Sequence, residues 1–190
     1  MLEIHSNRRI IIFIIMVFVL VAALLFWNFE LQYYRENSMN ADVNGIRSSW
    51  NDSIEYMDKA LIQLEKDENI GVANWLISAE VAIEKSIAIS AGYDAALNKR
   101  FFNGNKSLGL NQALMIYQQE IRSIRQYLLF NGNKIEPEQK QLLIDITADL
   151  KILQESFTEH LLLSANQREL LNTLLKFEKS LNVEFVKGHI

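Results

Sequence analysis

The sequence predicts an all-α protein: an N-terminal single transmembrane helix, then an antiparallel up-down four-helix bundle with room for a short fifth helix. Three observations predict it. Only 7 Gly and 1 Pro occur in 190 residues, too few for the turns of an all-β fold. Residues 10–27 form an uncharged apolar run. From position 43 onward, apolar residues recur every three or four places, the period of amphipathic helices that bury one face.

The run over 10–27 reads IIIFIIMVFVLVAALLFW. As a helix it spans about 27 Å, close to the roughly 30 Å hydrocarbon core of a bilayer. A cleaved signal peptide needs small residues just after its apolar stretch. Here Trp27-Asn28-Phe29-Glu30 follows instead, so the run reads as an uncleaved anchor. Arg8 and Arg9 abut its N-terminal side, and the first positive charge beyond it is Arg35. Positive charge beside a span stays cytoplasmic, which puts residues 1–9 inside and residues 28–190 outside the cell membrane. Trp27, Phe29, Tyr33 and Tyr34 form the expected outer aromatic belt. Residues 28–42 read as a stalk or linker, with a break expected at Asn37-Ser38 and Asn40, and the bundle as 43–182 ahead of a tail over 183–190.

Val43, Ile46, Trp50, Ile54, Met57, Leu61 and Leu64 form the first stripe, ended by Asp67-Glu68-Asn69-Ile70-Gly71. Residues 72–102 are helical in composition with a broader pattern, and stop at Asn103-Gly104. Leu110, Leu114, Tyr117, Ile121, Ile124 and Leu128 form the next stripe, which Asn131-Gly132 ends. Leu143, Ile146, Leu150, Leu153 and Phe157 follow, behind Pro137 at a first-turn position where its missing N–H costs nothing. Leu170, Leu174, Phe177 and Leu181 make the last, preceded by Ser164-Ala-Asn-Gln167, a capping-box pattern. The pentapeptide FNGNK occurs at Phe102–Lys106 and again at Phe130–Lys134. Asn-Gly often marks a β-hairpin, but the flanking period here is helical. Both copies read as helix C-termini with Gly in the left-handed position, at opposite ends of one helix.

Folding the chain about the turn near 69 sets Trp50 opposite position 88. Ala88, Ala91 and Gly92 then read as a small-residue packing groove, or pocket, for that ring. His160 falls one step beyond Phe157 on the fourth seam and is the candidate pH-sensitive group. Paired carboxylates four apart (Asp145/Asp149, Glu80/Glu84, Glu155/Glu159) read as solvated faces. Lys99, Arg100 and Lys106 surround Phe101 and Phe102 near the first FNGNK, a combination suited to anionic headgroups. The opposite end carries Glu65, Asp67, Glu68, Glu136 and Glu138 against Lys66, Lys134 and Lys140. The bundle is thus expected to be polarised, basic end toward lipid.

Zero cysteines exclude disulfides, thiol nucleophiles and thiolate metal sites. No Glu-x-x-His pair, P-loop, G-x-S-x-G or dinucleotide fingerprint occurs, so no catalytic residue, metal or cofactor is implied. Leaving out Arg8, Arg9 and Glu3, the exported part has 17 Lys/Arg against 22 Asp/Glu, a poor footprint for nucleic acid. The expected partners are the lipid bilayer and a protein. The sequence reads as a non-enzymatic interaction or scaffold module. The second reading is a sensor-like ligand-binding bundle. Basic residues, anchor and extracytoplasmic bundle are together similar in outline to the ligand-binding domains of bacterial chemoreceptors. A chain ending at Ile190 without a second span would signal through a partner protein.

Overall fold

The computed structural model describes residues 2–101, 110–131, 134–163 and 167–183, and of 2–15, 34, 35, 92–101, 131, 167 and 171 the backbone alone. Among the described residues every regular element is an α-helix. They are α1 (Leu2–Glu65), α2 (Asn69–Phe101), α3 (Leu110–Asn131), α4 (Pro137–Ser156), α5 (Glu159–Leu163) and α6 (Gln167–Ser180). The chain divides into two compact units, Met1–Asn40 and Ala41–Ile190.

The first unit is the N-terminal part of α1. Every described side chain from Met16 to Tyr33 is exposed, with Phe18 74%, Trp27 67% and Phe29 69% accessible. This is one helix long and apolar enough to cross a membrane. The break expected at Asn37-Ser38 and Asn40 does not occur; α1 continues through them. Residues 28–44 contain neither Gly nor Pro. Asn and Ser alone cost only about 0.5 kcal/mol each in a helix, too little to stop one.

The second unit has its own core. Val43, Ile46, Trp50, Ile54 and Met57 are buried on α1, as are all named members of the stripes on α3, α4 and α6. Leu61 and Leu64 are half-buried. Between α1 and α2 the chain turns in three residues. Glu68 N donates to Gln63 O and Asp67 N to Leu64 O, and Asp67 sits at φ 58°. This is a Schellman cap with Asp where Gly is commonest. Gly71, expected in the stop, lies instead in α2, where a β-carbon would meet Gln63 at 3.4 Å.

Side-chain contacts join the helices pairwise. Gly45 lies against Ile89 and Gly71 against Gln63, which fixes α1 on α2. Glu80 pairs with Arg122 and Ser90 with Asn111, fixing α2 on α3. Tyr117 reaches Asp149, and Tyr127 reaches Glu136, across α3 and α4. Lys151 bonds Asp58 at 2.9 Å and Gln154 bonds Asn51, joining α4 to α1. Pro137 occupies the first turn of α4, and Glu136 and Gln139 form its capping box. The pattern at Ser164–Gln167 falls largely outside the described residues. Phe157 stops α4, its N–H still bonded to Leu153 O, and Thr158 restarts the chain as α5 by accepting Leu161 N–H on its hydroxyl. Arg47 holds this stop from α1, donating to the carbonyls of Gln154 (3.3 Å) and Phe157 (2.5 Å). Those carbonyls have no partner within a helix end.

Candidate functional site

The residues singled out in the sequence are only partly among those described. Lys99, Arg100 and Phe101 have described backbone only, and Phe102 and Lys106 lie outside the described residues. Lys134, in the second FNGNK, bonds the exposed Asp67 at 3.1 Å, so that copy shares an end with the α1–α2 turn. His160 is exposed on α5 rather than on the α4 seam. The reason is the break at Phe157–Thr158, which ends the heptad phase that would have carried His160 inward.

Trp50 is 1% exposed. Its ring meets Phe157 edge-on at 6.5 Å, and Phe157 meets Phe177 in the same way at 5.8 Å. The α1–α2 contacts at Gly45 and Gly71 put Trp50 opposite about position 84, one turn from position 88. Ala88 and Ala91 are exposed, so they do not wall a buried groove; Gly92 falls where only backbone is described. Other small residues on these two helices are buried: Ser49, Ser53, Ala79, Ala82 and Ser86. Ser49 and Ser53 hydroxyls fold back onto the carbonyls four residues earlier, which removes their need for a partner across the interface.

Two carboxylates expected on solvated faces are buried. Asp149 is 0% exposed and Glu80 is 8%. Asp149 accepts four hydrogen bonds: Tyr117 hydroxyl at 2.9 Å, Asn182 backbone N–H at 2.6 Å, Asn182 side-chain amide at 2.8 Å and Val183 N–H at 3.1 Å. Burial pushes the Tyr117 phenol far above its ordinary range, helped by the Asp149 charge and by the hydrogen bond between them. A phenol so held stays protonated and donates. The cluster ties the chain after α6 to α3 and α4, and makes Val183 core rather than tail. Its carboxylate is fully occupied, so it has no free oxygen for acid–base work. It is a structural clasp.

Glu80 is held differently. Arg122 Nη2 lies 2.5 Å from Oε1, and Arg125 Nε 3.1 Å from Oε2. One carboxylate faces two guanidiniums across the α2–α3 groove. Beside it Gln118 reaches Glu84 at 3.5 Å. Above this polar floor stand exposed apolar side chains: Ile70 (75%), Ile77 (40%) and Val81 (59%) on α2, and Met115 (58%), Leu129 (49%) and Phe130 (83%) on α3. On α2 the apolar positions fall seven and four apart, one helical stripe. The sequence did contain this signal. The breadth of the pattern over 72–102 arises because α2 carries apolar residues on its outer as well as its inner face. This α2–α3 face is the surface best suited to an encounter with another macromolecule. Comparison with protein-family models, with characterised proteins and with solved structures gives no match to this chain.

Proposed function

We propose that the protein is a membrane-anchored, non-enzymatic interaction or scaffold module, its second unit an up-down four-helix bundle held outside the cell membrane. The observation that carries the reading is the contrast along α1. Residues 16–33 expose every side chain among the described residues, whereas Val43, Ile46, Trp50 and Met57 are buried. Lipid is the solvent that accepts the first stretch at least cost. The uncovered α2–α3 face supports a protein partner, since a patch mixing exposed apolar and charged side chains marks interaction surfaces.

The orientation rests on Arg8 and Arg9. With it goes the proposal that the side chains of Lys99, Arg100, Phe101, Phe102 and Lys106 bind anionic headgroups, a reading supported by their charge and aromatic character. Reporters active only in the cytoplasm or only outside, fused after Ile190, test the topology: activity of the cytoplasmic reporter overturns it. Binding of the 40–190 fragment to anionic vesicles, with Lys99, Arg100 and Lys106 changed to Ser, tests the lipid face; unchanged binding removes it. Covalent crosslinking from membranes, with identification of the retained proteins, tests the interaction reading. A specific rise in melting temperature with one small molecule would instead favour the sensor.

A further inference from the structure

We propose that the outer face of α2 and α3 is a self-association surface whose occupant is a second copy of this chain. The inference rests on the interaction reading and names its partner; it is independent of membrane orientation. The four observations behind it are position, exposure, charge and size.

Ile70, Ile77, Val81 and the exposed Ala88 form one line along α2, and Met115, Arg122 and Leu129 one line along α3 at seven-residue intervals. The ion pairs set their heights. Glu80 is level with Arg122, and Glu84 with Gln118. Ala88 is therefore level with Met115. In the floor, carboxylates stand on α2 (Glu80, buried and held by its own chain's arginines, and the exposed Glu84) and guanidiniums on α3 (Arg122, Arg125), while the exposed Lys85 flanks the α2 line between Val81 and Ala88.

A two-fold axis running along the groove lays α2 of one copy over α3 of the other without changing any height. Both halves of the interface are then matched at once. Met115 of each copy meets the small Ala88 of its partner, and Val81 meets the aliphatic stem of Arg122. Glu84, exposed on α2, lies one turn from the half-exposed Arg122 of the other copy. This self-complementarity is what an isologous contact requires. Elsewhere the chain is net negative, and two copies repel. The α3 side of this face, with two arginines against one shared carboxylate, is where that repulsion is offset. The available area is sufficient but not generous. Two adjacent helices about 30 Å long and about 20 Å across give roughly 600 Å² per copy, or roughly 1,200 Å² in all, the lower bound for a specific interface. Confinement of both copies by anchors in one bilayer raises their effective concentration and compensates for that modest area.

The absence of cysteine makes the test direct. The full chain is solubilised in detergent, and its protein mass is measured by light scattering. Twice the 22.0 kDa of one chain is expected, halving on Val81→Arg, a change at an exposed position that leaves the core alone. Separately, chains carrying Ala88→Cys are mixed with chains carrying Met115→Cys and oxidised. A mixed dimer is expected, with none when Leu175→Cys, exposed on α6, replaces Met115→Cys. A single-chain mass for the unmodified protein overturns the proposal. So does a missing Ala88–Met115 crosslink, even where the mass is doubled, because the anchors then hold the pair. In either case retention of a different protein would leave the interaction reading standing.

Discussion

Asp149 and Glu80 are both carboxylates withdrawn from water on the inner sides of helices, yet they are satisfied by opposite means. Asp149 is met only by neutral donors, all four from chain segments at least 32 residues away in sequence. Glu80 is met by two cations that keep one side in solvent, Arg122 with 48% and Arg125 with 20% of the side chain exposed. The difference decides how each site fails. Removing Asp149 strands two buried donors, the Tyr117 hydroxyl and the Val183 N–H, along with the part-buried ones of Asn182; removing Glu80 strands cations that reach water.

The largest effect is therefore expected at Asp149. Asp149→Ala leaves the Tyr117 hydroxyl and the N–H groups of Asn182 and Val183 without an acceptor, at about 3–5 kcal/mol. Urea unfolding followed by circular dichroism measures it. Proteolysis should first cut the freed chain after α6. Glu80→Ala should cost only about 1–2 kcal/mol, because Arg122 turns to water and the pair is partly screened. The two sites separate further in salt. The Glu80 contribution should shrink as ionic strength rises through the range where the Debye length falls below about 8 Å, while that of Asp149 stays. Equal losses at both positions would erase the distinction.

How much of this was legible in the sequence divides along the same line. The stripes on α3, α4 and α6 named the buried residues correctly from spacing alone, because burial of an apolar side chain obeys the helical period. Asp149 gave no such signal. Its position beside the seam is local information, but its burial depends on Asn182 and Val183 arriving from 33 and 34 residues away. Glu80 was hidden for a related reason: its partners are on another helix, and the pairing register of α2 with α3 cannot be read from either helix alone. On α2 itself the period misled. Ile70, Ile77 and Val81 outside and Val72, Leu76 and Ile83 inside cover both faces, so the period does not pick out one inner face, and Ala88 and Ala91 fall at exposed positions.

Tyr117 sharpens the comparison from the donor's side. Tyr117→Phe keeps the ring in place and leaves Asp149 three donors, so the expected cost is about 1–1.5 kcal/mol. The pH dependence carries the more specific prediction. The folded phenol is raised above its ordinary value, so it remains protonated where an unfolded tyrosine ionises. The stability it contributes is complete below about pH 10 and is lost as pH rises further, with a limiting slope of about 1.4 kcal/mol per pH unit. Urea midpoints between pH 8 and 11 should fall faster for the unmodified chain than for Tyr117→Phe. Parallel curves would mean that Tyr117 ionises freely and is not held by Asp149.

Asp67 is the third case, a carboxylate whose charge should scarcely matter. Its ion pair with Lys134 is 73% and 77% exposed, and such pairs contribute about 0–1 kcal/mol. What matters is the backbone, since Asp67 holds φ 58° in the α1–α2 turn, a conformation that Gly adopts without steric penalty. Asp67→Gly is therefore expected to be neutral or stabilising by up to about 1 kcal/mol despite losing the ion pair, and Asp67→Ala destabilising by about 1 kcal/mol. Lys134→Ala, which removes the same ion pair and leaves the turn alone, should change stability by less than about 0.5 kcal/mol. The three variants read against one another assign the residue's role. A Gly variant as damaged as the Ala variant would place the role of Asp67 in its charge, and would make the turn between α1 and α2 an electrostatic joint rather than a conformational one.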